Sequence, residues 1–199
     1  MFRIKRILSV LTLAILLFSP NPAKAYHYYY DDYYYSSKVP LGAPFVYFDL
    51  DDIYNQRWVS TYLRGKPIII LTGHRYQRYE ILKWAESFRQ EYMIPGRAYV
   101  LWVVNLRKMN WNTSRQTIYD QWRWFNPSVP LLLDWDGVIG KGLRVNYNVP
   151  NIIVIDSYGR LVMHEMHSYN PRVYKAVSEK IRPYCPKRRL RKGRRGDSL

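Results

Sequence analysis

The stretch GKPIIILTGHRYQRYEILKWAESFRQEY, Gly65–Tyr92, decides the fold. Gly65-Lys66-Pro67 is a turn. Ile68-Ile69-Ile70-Leu71 follows without a polar break, bounded by Pro67 and Gly73, and reads as a strand buried on both faces, as in a parallel sheet. The period then changes. Ile81, Leu82, Trp84, Ala85 and Phe88 share one helical face, and Lys83, Glu86, Arg89 and Gln90 share the other. A buried strand, a polar loop and an amphipathic helix make a βα unit. Ligands in open α/β folds gather at such loops, beyond the carboxyl ends of the strands. Here the loop runs from Thr72 to Glu80.

Further units follow in both directions. Phe45-Val46-Tyr47-Phe48 is expected as a short strand, with Asp49-Leu50-Asp51-Asp52 as a turn. Ala98–Val104 is a second apolar strand after the stop signal Ile94-Pro95-Gly96. Ser114 or Thr113 caps a helix through Ile118, Trp122 and Phe125. Leu131-Leu132-Leu133 is a strand, Asp134-Trp135-Asp136-Gly137 a turn, and Val138–Leu143 at most a brief helix. Ile152–Ile155 and Arg160–His164 form a hairpin across Asp156-Ser157-Tyr158-Gly159. Asn170-Pro171 starts a last helix to about Ile181. The group Trp111, Trp122, Trp124 and Trp135 is expected to pack in the core or at its rim.

The chain of 199 residues carries 31 lysines and arginines against 15 acids. Four of those cations lie in residues 1–25 and eight from Arg182 onward, where Asp197 is the one acid, so the part between is only mildly basic. The charge therefore does not describe a nucleic-acid-binding domain. Arg3, Lys5 and Arg6, an apolar run Ile7–Phe18 and Ala23-Lys24-Ala25 have the form of a secretory signal peptide with cleavage after Ala25, so the mature chain is expected in the periplasm or outside the cell. Tyr26–Ser37, with six tyrosines around Asp31-Asp32, extends to residue 40 as a low-complexity arm. Residues 41–182 make one domain. Residues 183–199 make a basic tail, in which Lys187, Arg188, Arg189, Arg191, Lys192, Arg194 and Arg195 are candidates for contact with an anionic envelope surface. Cys185 is the one cysteine. It excludes an internal disulfide, lies outside the expected core elements and leaves an intermolecular disulfide open. His164 and His167 would face opposite sides of a strand, so no metal site is expected, and no cofactor either.

Three stretches carry a resemblance. Val59–Ile70 (VSTYLRGKPIII) is similar to an "L-x-G-K-P-V-V-V" strand entry. Val129–Gly137 (VPLLLDWDG) is similar to "P-V-L-x-D-x-D-G". Tyr147–Val162 (YNVPNIIVIDSYGRLV) is similar to "Y-G-V-P-T-T-F-L-I-D-x-D-G-R-I-V". In this order they resemble the thioredoxin superfamily, in its exported TlpA-like and peroxiredoxin-like branch, over about Phe45 to Arg182. The resemblance implies an α/β thioredoxin-like fold, a central mixed sheet flanked by helices, with a cis proline at Pro150. It also implies a C-x-x-C pair at the start of the helix after the central strand. Here that place reads Gln77-Arg78-Tyr79-Glu80. Neither Gln nor Glu forms a mixed disulfide, so thiol–disulfide exchange is not expected and no residue is assigned as catalytic.

What remains of such a site is a groove between the loop (Gly73, His74, Arg75, Tyr76, Gln77, Arg78) and the segment Val149, Pro150, Asn151. It could receive an envelope protein or peptide by β-type pairing. Three functions stay open: a non-catalytic binding or scaffolding module in the envelope, a thiol or peroxide protein acting through Cys185 or a partner's cysteines, and a polyanion binder acting through the tail.

Overall fold

The computed structural model describes residues 38–107 and 113–186. The expected signal peptide, the expected arm up to Ser37, Trp111 and the basic run Lys187–Arg195 lie outside the described residues. The elements are β1 (Asp49–Asp51), β2 (Arg57–Val59), β3 (Ile68–Thr72), α1 (Arg78–Phe88), β4 (Tyr99–Asn105), α2 (Arg115–Phe125), β5 (Leu131–Asp134), α3 (Val138–Gly142), β6 (Asn151–Ile155), β7 (Leu161–Met166) and α4 (Pro171–Ile181).

Five strands form one mixed sheet in the order β5-β4-β3-β6-β7. β3, β4 and β5 are parallel neighbours, whereas β6 runs antiparallel to β3 and β7 antiparallel to β6. Parallel neighbours need crossovers, which α1 and α2 supply, and the antiparallel pair needs only the turn at Gly159. The uninterrupted apolar runs are explained by two cores. Ile69, Leu71, Val100, Trp102, Val104, Leu131, Leu133, Ile152 and Val154 face a cluster with Ile81, Trp84, Phe88, Ile118, Val177 and Ile181 from the helices. Ile68, Ile70, Leu101, Val103, Leu132, Ile153 and Ile155 face a second cluster with Phe48, Leu63, Ile139 and Leu143. Each such side chain contributes about 1.5–3 kcal/mol by burial, which is why neither face tolerates a polar alternation.

Three expectations are corrected. The first strand is Asp49–Asp51, not Phe45–Phe48. Asp52 explains the shift. Its Oδ1 accepts from the N–H of Tyr54 and Gln56 and its Oδ2 from the Trp58 indole, which builds the turn after the aspartates rather than at them. Asp52 also bridges to Leu132, so the small β1–β2 hairpin covers the outer edge of β5. Trp124 is the second correction, since it is 84% exposed although Trp122 beside it is buried.

The third concerns the C-terminal boundary. The fold does not stop at Arg182. The backbone turns back through hydrogen bonds from Tyr184 N–H to Ile181 and from Cys185 N–H to Arg182. Cys185 is fully buried in the first core cluster, and the Arg97 guanidinium donates to its carbonyl. Lys38 and Val39 also belong to the fold rather than to the arm. Val39 packs on the second cluster and Lys38 Nζ donates to the His164 carbonyl.

Candidate functional site

Thr72, Asn105 and Asp134 end β3, β4 and β5, and Asn151 begins β6 opposite Thr72. These polar residues line one end of the sheet, and Asn105, Asp134 and Asn151 tie down the connections beside them. Asp134 is fully buried and accepts from the N–H groups of Val138 and Ile139, so it caps α3; burial holds its pKa above the usual value against those bonds. Asn105 Nδ2 donates to the Tyr147 hydroxyl at 2.6 Å. These roles were not assigned from the sequence. The available signal was a polar residue at the boundary of each apolar run.

At the centre of this end, the structure brings the two halves of the expected groove together. A Cβ on Gly73 would stand 2.4 Å from Gln77 Oε1 and 3.5 Å from the Pro150 Cα, so the backbone passes where a side chain does not fit. The loop is tighter than the sequence suggests. Arg75–Gln77 is a 3-10 turn and α1 begins directly at Arg78. A reciprocal cap sets it: Gln77 Oε1 accepts from His74 N–H at 2.9 Å and His74 Nδ1 accepts from Tyr76 N–H at 3.4 Å. Burial, and secondarily the neighbouring Arg75, holds the His74 pKa below its ordinary value. His74 therefore presents a neutral, hydrogen-bonded ring rather than a free base.

Gln77, Arg78, Tyr79 and Glu80 occupy the helix start where the resemblance places a redox pair. Glu80 is half-buried, and its Oε2 is enclosed without a hydrogen-bond partner. The two arginines lie over the rings that follow them in the chain. The Arg75 Cζ is 5.1 Å from the Tyr76 ring centroid and the Arg78 Cζ 4.9 Å from that of Tyr79. Tyr79 also meets Phe125 edge-on at 5.6 Å, which joins this surface to the end of α2.

The other wall departs from the cis proline that the resemblance implies. Val149–Pro150 is a trans peptide, and no cis bond occurs among the described residues. The Val149 carbonyl accepts from Asn151 Nδ2 at 2.7 Å, and the Pro150 carbonyl accepts from His167 N–H at 3.0 Å. Each of these carbonyls accepts one hydrogen bond from within the chain. Asn151 is the hub of this arrangement. It is fully buried, its Nδ2 also donates to the Asn146 carbonyl at 2.6 Å, and its Oδ1 faces His164 Nε2 at 2.9 Å. With both amide protons spent on carbonyls, Oδ1 is the acceptor, so His164 carries a proton on Nε2, while its Nδ1 is buried without a hydrogen-bond partner.

Burial, with a smaller contribution from Lys38, drives the His164 pKa down to about 4. In the unfolded chain it returns to the ordinary 6.5. Between these values the unfolded state binds a proton that the folded state does not. This stability is complete above pH about 6.5 and is lost as pH falls, amounting to about 3 kcal/mol by pH 4. Urea unfolding from pH 7 to pH 4 should show a loss of that order, and His164→Gln should flatten it; a slope unchanged in the variant contradicts the assignment. Glu165 separates the second histidine from this group, since its carboxylate holds His167 Nε2 at 2.9 Å and Lys180 at 2.8 Å.

Cys185 lies apart from the groove, packed against the other end of the helical layer. Burial pushes its thiol up to about 11. A buried thiol far above neutral pH is a poor nucleophile. Its reaction with Ellman's reagent should be slower than that of free cysteine by about 100-fold or more in the folded protein and become fast on adding guanidinium. Immediate reaction in the native state contradicts the buried placement.

No family model matches the sequence. No curated protein matches it either. Among solved structures the chain is similar to a putative protein disulfide isomerase from Bacteroides thetaiotaomicron, with a TM-score of 0.57 and 15% identity over 74% of this chain and 91% of that one. It is similar to the thioredoxin domain of a thiol-disulfide oxidoreductase from Bacteroides vulgatus, with a TM-score of 0.55 and 14% identity over 72% and 99%. A putative thiol:disulfide interchange protein DsbE from Chlorobium tepidum gives 0.54 and 14% over 72% and 96%. Likeness at this identity speaks to architecture. The sheet order, the helix that follows the central strand and these neighbours together give the chain a thioredoxin-like fold.

Proposed function

We propose that this protein is an exported, non-catalytic binding module of the cell envelope that engages a protein or peptide partner at the surface built from Gly73–Arg78 and Val149–Asn151. One observation carries the reading: Gln77 and Glu80 stand at the start of a fully formed α1, where the sequence resemblance puts a redox pair. The fold is similar to that of a thiol-disulfide oxidoreductase, and the start of α1 holds no cysteine. Export is supported by the signal-like residues 1–25, and catalysis through Cys185 is opposed by its burial and raised pKa. The basic residues Lys187–Arg195 add a second, electrostatic attachment to an anionic envelope surface.

Independence from thiol chemistry is the test. Tagged full-length protein and its Cys185→Ser variant, isolated from the same cells, should hold the same partner in the same amount. Loss of the partner with the serine variant, or its release by dithiothreitol, would assign the function to Cys185 instead.

A further inference from the structure

The segment Arg75-Tyr76-Gln77-Arg78-Tyr79 is a short repeat in which each arginine is held against the ring of the next tyrosine. Arg75 also donates to the Tyr76 hydroxyl at 3.2 Å. Tyr76 and Tyr79 are each 59% exposed, and they lie side by side with the two arginines. Stacking orients a guanidinium and reduces the entropy it loses on pairing with a carboxylate. The opposing acid in this stretch, Glu80, is half-buried with one oxygen enclosed. Across the groove, the carbonyls of Val149 and Pro150 already accept hydrogen bonds from Asn151 and His167. Pro150 and Asn151 are buried, so recognition falls mainly to the exposed side chains on the α1 side.

From this we infer that the partner is an acidic polypeptide segment carrying aromatic or large apolar side chains among its carboxylates. Arg75 and Arg78 take the carboxylates, and the parts of the Tyr76 and Tyr79 rings that the arginines leave uncovered take the apolar groups. Charge complementarity selects the acids. The rings select a polypeptide over a polyphosphate or other plain polyanion, which has nothing to bury on them. This inference rests on the groove-binding function proposed above and names the class of its partner.

The test is fluorescence anisotropy on the full chain with a labelled peptide of alternating Asp and Tyr. A Lys–Tyr peptide and polyphosphate of matched charge serve as controls. The Asp–Tyr peptide should bind, Arg75→Glu/Arg78→Glu should weaken it at least tenfold, and Tyr79→Ala should weaken it several-fold. Arg188→Glu/Arg189→Glu in the tail should change it less than twofold, with circular dichroism verifying that every variant is folded. Equal binding of the Lys–Tyr peptide or of polyphosphate, indifference to the Arg75 and Arg78 reversals, or dependence on the tail alone would each overturn the inference. Failure here is distinguishable from failure of the groove itself: a partner cross-linked in cells at position 75 that is not acidic leaves groove binding standing and removes only this assignment.

Discussion

Gln77→Cys/Glu80→Cys should turn this chain into a thiol–disulfide oxidoreductase. Oxidation by excess oxidised dithiothreitol should remove two hydrogens and join the two sulfurs within one molecule, with the reagent reduced to its dithiol. In the presence of dithiothreitol, the variant should then reduce insulin disulfides at least tenfold faster than background, while the natural sequence and both single substitutions stay at background. The grounds are local. Positions three apart on a helix lie on one side at about 5–6 Å between Cβ atoms, within easy relaxation of the disulfide range. The first sits at the cap of α1, where the helix N-terminus and two arginines favour a thiolate. Losing the Gln77 side chain breaks its bond to His74 N–H and costs about 1 kcal/mol, which the remaining core should tolerate. A double variant that folds but forms no internal disulfide would mean that Gln77 and Glu80 do not occupy the redox positions of the fold.

Asn151→Ala should be the most damaging single change near the groove, at about 4 kcal/mol. One side chain with no exposed surface joins the Asn146 and Val149 carbonyls to the imidazole of His164. Alanine leaves two carbonyls, the Asn146 N–H and a ring N–H without this partner, at about 1–3 kcal/mol each and less than additively. Asn151→Thr, which places there the residue of the related motif, supplies one hydroxyl for four partners and should recover only part of the loss. Urea midpoints measure both variants. A cost below about 1 kcal/mol for alanine would show that the loop before β6 is held by something else. The same variant should free the Val149 carbonyl and increase amide exchange across residues 146–151.

Where the sequence speaks clearly, it does so through burial. Ile68–Leu71, Ala98–Val104 and Ile152–Ile155 could be read as strands because both faces of the sheet are covered, and that demand leaves no polar positions. Ser114 and Asn170 were legible as caps because a cap is a local bond, to Thr117 N–H and Arg172 N–H here. The misread elements depend on distant partners. Asp49–Asp51 is poor strand material, yet Arg57 clasps Asp49 across the hairpin and the next residue bridges to Leu132. Cys185 follows a helix end and a proline, and nothing beside it reveals that Arg97, 88 residues earlier, fixes its carbonyl. The candidate site divides in the same way. Gly73, His74 and Gln77 form their cap within five residues and were recognisable as a loop. The hub at Asn151 depends on hairpin register, which carries His164 to it from 13 residues away.

The binding surface proposed at Gly73–Arg78 and Val149–Asn151 needs no thiol chemistry. A photo-crosslinking residue in place of Arg75, in intact cells and with a control probe at Arg191, tests it most directly. A discrete adduct from position 75, formed equally in a Cys185→Ser background, is the predicted result. Adducts from position 191 alone, with none from position 75, would contradict it and move the function to the basic tail.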